Sequence, residues 1–237
     1  MQSALINASN GTVSVSGHNL NFSPLVAAPV TAINGYRGVT LIASAGTLLA
    51  PRAVIRALSP GADVTLYAHI LELPSAIITA NDALIIDTRY EVGTATSATI
   101  NVANSVLVSN NSRVDIFAVG SILADSARIS AVNLVSLYSS RDKISAVSAV
   151  LRATASNTGR IQVESCGPLN LNSARLTADR IQASSSDSFL DALDAVFAVI
   201  GGPSQLDIFA ADDIHLQNSS RAHAVQFIRS SRGTVVY

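Results

Sequence analysis

Charged residues are scarce in this chain of 237 residues. Asp, Glu, Lys and Arg together make up 13% of it, about half of the roughly 25% that soluble domains usually carry. The formal net charge is −1, so no basic field is present to attract nucleic acid or an anionic membrane surface. We therefore expect no nucleic acid partner. We also expect no membrane insertion, because no apolar run approaches the roughly 18 residues that a membrane helix needs.

Cysteine is almost absent, and a secretion signal is not visible. The single cysteine, Cys166, excludes an internal disulfide framework and a thiolate metal cluster. The first residues, MQSALINASNG, lack the basic segment and apolar core of a signal peptide. Met1 is compatible with an artificial start, with a signal already removed, and with a protein that stays inside the cell.

What the chain does contain is a repeated apolar pattern. Four windows, beginning at Val64, Val114, Ile161 and Leu206, each open with two apolar residues separated by one polar residue. Three further apolar groups follow in each window at similar intervals. The inward positions predicted from the windows are Val64, Leu66, Leu71, Leu73, Ile78, Leu84 and Ile86; Val114, Ile116, Ile122, Leu123, Ile129, Leu134 and Leu137; Ile161, Val163, Leu169, Leu171, Leu176, Ile181 and Ala183; and Leu206, Ile208, Ile214, Leu216, Ala222, Val225 and Phe227.

Alternation with a period of two residues is typical of β-strands that bury one face. The predicted strands are short, and the gaps between them are too short for a crossover helix. Units of this kind must wind into coils that stack in register. The pattern therefore predicts an all-β fold, a single-stranded parallel β-helix or β-solenoid, with residues 1–237 as one domain. Stacking also explains the low charge, since like charges on adjacent strands would repel.

Two segments depart from this pattern. The stretch SFLDALDAVFAVIGG, which begins at Ser188, has apolar residues at helical spacing and ends in two glycines. It predicts a short helical insertion over residues 187–200. The stretch that begins at Arg141 fits either a degenerate coil or a short helix.

The windows at Val114 and Ile161 contain SARISA and SARLTA at the same place, in a pattern of the form φxφxA…xLxLxSARLxAxxIxAS, where φ is apolar. In this the chain resembles the filamentous-haemagglutinin type of bacterial surface β-helix. The resemblance implies a right-handed β-helix that acts at a cell surface, in adhesion or in filament building. The secretion domain of that family, with its Asn-Pro-Asn-Leu type of motif, is absent from this chain.

No catalytic or metal-binding constellation can be assembled from the sequence. Of the four histidines, His215 and His223 lie near two aspartates but match no compact metal-ligand spacing. Asp115 and Asp207 share a repeat position but belong to well-separated coils. We therefore expect no cofactor, no metal and no hydrolase or lyase activity.

Three surface features are candidates for binding. Outward apolar residues at one repeat position predict a stripe that a partner or a covering segment occupies: Ile42, Tyr67, Phe117 and Phe209. Arginines in the SAR step predict a basic stripe that could hold an acidic glycan: Arg128, Arg175 and Arg221. The terminal strands have no evident cap and predict self-association: Leu5, Ile6, Val235, Val236 and Tyr237.

These features support three functions. The first is a structural protomer of an extracellular filament or surface layer, in which copies assemble head to tail through the terminal coils. The second is a monomeric adhesin fragment that binds surface glycans. The third is a polysaccharide-cleaving enzyme.

Overall fold

The computed structural model describes residues 5–23, 31–89, 98–200, 205–221 and 225–237. All regular structure in these residues is β-strand, wound into a parallel β-solenoid of about 9 turns. The prediction of an all-β parallel solenoid is confirmed. Among the same residues, no helix has the length and apolar character needed to cross a membrane.

The strands are numbered in chain order. The first ten are β1 (Leu5–Ala8), β2 (Thr12–Gly17), β3 (Leu20–Asn21), β4 (Ala32–Gly35), β5 (Gly38–Leu49), β6 (Val54–Ala57), β7 (Asp63–Glu72), β8 (Ile77–Ala80), β9 (Leu84–Asp87) and β10 (Ile100–Asn101). The next nine are β11 (Val106–Ser109), β12 (Arg113–Ala118), β13 (Ile122–Leu123), β14 (Arg128–Ala131), β15 (Leu134–Ser139), β16 (Ile144–Ser145), β17 (Val150–Ala153), β18 (Arg160–Ser165) and β19 (Leu169–Asn170). The last nine are β20 (Arg175–Ala178), β21 (Arg180–Ser185), β22 (Leu190–Asp191), β23 (Val196–Val199), β24 (Gln205–Ala210), β25 (Ile214–His215), β26 (Ser220–Arg221), β27 (Val225–Ser230) and β28 (Val235–Val236).

Each turn of the solenoid crosses three walls. The long-strand wall holds β2, β5, β7, β9, β12, β15, β18, β21, β24 and β27. The short-strand wall holds β3, the second halves of β5 and β7, and β10, β13, β16, β19, β22, β25 and β28. The back wall holds β1, β4, β6, β8, β11, β14, β17, β20, β23 and β26. Every strand pairs in parallel with the next turn, so backbone hydrogen bonds run along the axis with a rise of roughly 4.8 Å per turn.

Inward side chains form continuous apolar columns. On the back wall the column contains Ile33, Ile55, Ile78, Leu107, Ile129, Leu151, Leu176 and Phe197. Each of these side chains is at most 1% exposed. The predicted strand-start residues Val114, Ile161 and Leu206 are fully buried on the long-strand wall, which confirms the register of the repeat.

Four of the predicted inward residues instead face outward: Leu123, Leu134, Val225 and Phe227. In β15 the inward residues are Val135, next to the predicted Leu134, and Leu137, which was predicted correctly; in β27 they are Gln226 and Ile228, one position away from those predicted. Ala222 lies outside the described residues.

The Ser-Ala step of the repeat forms the corner between the short-strand wall and the back wall. In one turn the Ala174 N–H donates to the Leu171 carbonyl at 3.0 Å, and Ser173 between them has φ 57°. This is the geometry of a type II turn, which requires a positive φ at its third residue. The Ser173 N–H donates to Leu193 of the next turn at 2.7 Å, so the axial hydrogen bonds continue around the corner. The same positive φ recurs at Arg52, Ser75, Asn104, Ser126, Ser148, Asp194 and Asn218.

Three stacked serines inside the solenoid are paired with backbone groups. Ser139, Ser165 and Ser185 stack at the end of the long-strand wall and are at most 4% exposed. The Ser139 hydroxyl donates to the Gly120 carbonyl at 2.7 Å, and both Ser165 and Ser185 donate to Gly167. A buried hydroxyl is costly unless it has such a partner. A serine-rich chain can therefore close this corner without charged side chains.

The predicted helical insertion over residues 187–200 is wrong. This segment contains β22 and β23, joined by a corner at which Asp194 has φ 55°. Leu190 and Phe197 point inward, and Phe189 remains 38% exposed. The ambiguous stretch after Arg141 is likewise an ordinary turn, with β16 and β17.

Candidate functional site: the outer long-strand wall and the terminal coils

Outward residues of the long-strand wall form parallel columns along the axis. The predicted apolar residues Ile42, Tyr67, Phe117 and Phe209 all lie in one column, and each is half-buried. The complete column reads Ser16, Ile42, Tyr67, Asp87, Phe117, Tyr138, Glu164, Ser184, Phe209 and Arg229. Polar residues therefore interrupt the stripe that the sequence suggested.

Sequence reasoning missed Tyr138, which stacks on Phe117 with ring centroids 4.4 Å apart. The opposite side of Phe117 carries the Arg89 guanidinium, whose carbon lies 3.4 Å from the ring centroid. Asp87, only 7% exposed, accepts hydrogen bonds from the Arg89 side chain, the closest at 2.7 Å. Hydrogen bonding by this carboxylate raises the pKa of Arg89. The middle of the column is thus covered by Arg89, and the helical insertion over residues 187–200, which could have supplied a covering segment, does not exist.

Further along the same wall, β18, β21, β24 and β27 form a groove, which we call the outer groove. Its larger part has a volume of about 380 Å³ and its smaller part about 120 Å³. Gln182, Gln205 and Asp207 line both parts, so the two parts adjoin. Arg160 and Arg180 lie at one end, and Phe209, Phe227 and Arg229 lie at the other.

Amide side chains hold Asp207 in the outer groove and Glu164 on the same wall. Gln182 Nε2 donates to Glu164 Oε1 at 2.6 Å, and Gln205 Nε2 donates to Asp207 Oδ2 at 2.7 Å. The Arg160 guanidinium donates to Gln182 Oε1 at 2.8 Å. The three arginines of the outer groove, Arg160, Arg180 and Arg229, form no ion pair with any described residue. Their charge is thus available to a ligand.

The arginines of the SAR step do not form a continuous stripe. Arg128 and Arg175 occupy one outward column of the back wall, but Val150 lies between them on the intervening turn. Arg221 pairs with Phe197, which belongs to the next column. The prediction that Arg221 shares their position is therefore wrong. The residue that takes that position is Ser220.

The two ends of the solenoid expose apolar residues. In the described chain β1, β2 and β3 pair only toward β4 and β5, while β26, β27 and β28 pair only toward β23, β24 and β25. The exposed fractions are 65% for Leu5, 45% for Val236 and 65% for Tyr237. Ile6 and Val235 are half-buried and pack against the core.

The two carboxylates that share a repeat position on the long-strand wall lie several turns apart. Asp115 and Asp207 share a column, but Ser136, Gln162 and Gln182 separate them. Burial raises the pKa of Asp115, against the opposing effect of Arg113, whose Nε lies 2.7 Å from it. An acid–base pair requires both groups within reach of one substrate bond, and these two are not.

His215 pairs with Asp191 on the short-strand wall, with 2.7 Å between Nδ1 and Oδ1. The described residues contain no cluster of three or more His, Cys, Asp or Glu side chains that could hold a metal ion. His223 lies outside the described residues. Comparison with family models, curated proteins and solved structures gives no significant match to this chain.

Proposed function

We propose that this protein is a structural protomer that assembles end to end, with the first coil of one copy stacked on the last coil of another. One observation carries the proposal: in the described chain, six strands at the two ends are paired along one edge only. An unpaired strand edge is a template for another strand.

The two ends are complementary in pattern. A second copy placed in the register of the internal turns would bring Val15 over Ile228 and Leu20 over Val235. All four are apolar, and all four already contact the core from their own side. In a third inward column Val13 would meet Gln226, which is the polar exception. The contact between two copies would thus bury apolar inward residues, as the contact between two internal turns does.

Such a contact is heterologous, because different surfaces of the two copies meet. A heterologous contact that does not close by rotation produces a filament instead of a dimer. We propose an extracellular or cell-surface location for this filament, and its support is the resemblance of the SAR repeat to the filamentous-haemagglutinin type. Protease treatment of intact cells, followed by detection of the chain, tests the location.

The assembly is tested with charged variants of each end. Val235→Lys places a charge in an inward column of the last coil, and Ile6→Lys places one in an inward column of the first. We expect wild-type protein to form filaments in electron micrographs, and each variant to remain monomeric by sedimentation velocity. The matched control is Val150→Lys, the same change on an outward position in the middle of the chain. It should assemble like wild type.

Mixing the two variants tests the polarity of the contact. Val235→Lys retains an intact first coil, and Ile6→Lys retains an intact last coil. Head-to-tail stacking therefore predicts a discrete heterodimer in the mixture and no filament. A wild-type protein that stays monomeric at high concentration contradicts the proposal, and so does a Val235→Lys variant that polymerises like wild type. A monomeric glycan-binding protein would then be the better proposal.

A further inference from the structure

The outer groove contains an arrangement of charge that the fold otherwise avoids. Arg160 and Arg180 occupy the same outward position on adjacent turns and are direct partners in the pairing of β18 with β21. Among all strand pairings in the described residues, this is the one pair that places like charges opposite each other. Like charges at directly opposed positions destabilise a sheet. The pair therefore destabilises the free protein through electrostatic repulsion, and an anion bound between the two guanidinium groups would remove this repulsion.

The surroundings of the arginine pair limit what the anion can be. Beside it, Gln182, Gln205 and Asp207 present amide and carboxylate groups, which donate to and accept from hydroxyl groups. The larger part of the outer groove continues to Phe209 and to Phe227, which is 52% exposed. The groove thus combines an anion position, hydrogen-bonding groups for hydroxyls and flat apolar rings.

We propose that the outer groove binds an acidic carbohydrate, with the ligand carboxylate between Arg160 and Arg180 and a pyranose ring against Phe227. Arginine recognises carboxylates through paired hydrogen bonds. The aromatic ring contacts the apolar face of the sugar, and the amides bind its hydroxyls. Asp207 lines the same part of the groove as the arginine pair, where its carboxylate accepts a hydrogen bond from Gln205 and limits the site to one bound anion. The arginine pair lies on β18 and β21 on the side of the solenoid, whereas Phe227 lies on β27 in the last coil; the proposal does not rest on end-to-end stacking.

A carboxylate on a pyranose ring occurs in uronic acid polymers and in terminal sialic acids. Isothermal titration at low salt distinguishes them with two probes, a galacturonic acid trisaccharide and sialyllactose. Their neutral counterparts, a galactose trisaccharide and lactose, report the share of binding that the charge provides. A hexaglutamate peptide tests whether carboxylates alone suffice. We expect at least one acidic sugar to bind, and neither the neutral sugars nor the peptide to match it.

The variant Arg160→Gln with Arg180→Gln removes the anion position and should weaken binding of the acidic sugar at least about tenfold, the effect of losing one hydrogen bond to a charged group. The matched control is Arg56→Gln with Arg152→Gln, which removes the same charge from exposed positions of the back wall and should bind like wild type. Phe227→Ala should weaken binding of the acidic sugar and leave the fold intact, because the ring faces solvent. Binding should also weaken as salt is raised.

A measurement on the free protein tests the like-charge argument directly. Arg180→Gln removes the repulsion, so its melting temperature should equal or exceed that of wild type. A lower melting temperature would mean that the arginine pair has an internal structural role and would overturn the proposal. Three results of the titrations also overturn it: no binding of either acidic sugar, binding that survives loss of both arginines, and binding of hexaglutamate as tight as that of the sugar.

Discussion

Truncation of one inward leucine in the middle of the solenoid should destabilise the whole stack. Leu151 is fully buried on the back wall, between Ile129 of the preceding turn and Leu176 of the following one. Leu151→Ala removes three carbons, which at about 0.8 kcal/mol each amounts to about 2.4 kcal/mol of lost burial. The walls on both sides are hydrogen-bonded along the axis and cannot collapse into the space, so the cavity adds to this. We expect a total loss of roughly 3–5 kcal/mol in the free energy of unfolding.

The assay is urea-induced unfolding followed by circular dichroism, with Val150→Ala as the matched control. Val150 is the adjacent residue of the same strand, faces outward and is 38% exposed. Its truncation should change the free energy of unfolding by less than about 0.5 kcal/mol. If the two variants lose the same free energy, or if Leu151→Ala loses less than about 1 kcal/mol, the inward column does not stabilise the solenoid as argued here.

Two further predictions concern tight corners. Gly35→Ala should destabilise by about 3 kcal/mol or more in thermal unfolding, because an added Cβ would lie 1.9 Å from the Gly38 carbonyl oxygen; Gly11→Ala meets nothing within 4 Å and should be neutral or slightly stabilising. Hydrogen bonds from Thr234 lower the pKa of Asp213, so this carboxylate stabilises the last coil above its unfolded pKa of about 3.9 and loses that effect as pH falls through the lower folded value. We therefore compare hydrogen exchange of the last coil in wild type and in an Asp213→Asn variant at both pH values. The protection that wild type has over the variant should be smaller at pH 3 than at pH 5. Equal exchange in the two proteins would contradict this role.

The inward columns were predictable because strand alternation is a local signal that every turn repeats. The sequence did not exclude the helix predicted over residues 187–200, because the apolar residues Phe189, Leu193 and Val196 lie on the outside of the wall and break the alternation of a strand. Together with inward Leu190 and Phe197 they imitate helical spacing. The inward residues between these two are Ala192 and Ala195 at the corner, and alanines give a weak apolar signal.

The misplacement of Arg221 has a different cause. If the windows are aligned on the arginine of the triplet Ser-Ser-Arg at 219–221, Arg221 matches Arg175. In the structure the corner residue Asn218 matches Ser173 instead, because both of these residues have a positive φ. Asn adopts that conformation more readily than Ser does. The turn residue, and not the arginine, therefore sets the position of the last coil.

The outer groove had a signal in the sequence that the window comparison did not use. The triplet Arg-Ile-Gln occurs at 160–162 and again at 180–182, which is the stacked arginine pair with the glutamines beside it. What the sequence could not provide is the neighbourhood of Phe227, since that residue was assigned to the inward face. Its outward position follows from the pairing of β27 with β24.

Axial hydrogen bonding has a mechanical consequence. Tension applied between the two ends loads the contacts between turns in series, and every turn contacts mainly its two neighbours. The terminal strand then peels away a few bonds at a time, after which the next turn becomes the terminal one. Each added turn lengthens the rod, but the force that starts its unravelling is set by the weakest end coil and does not increase with length.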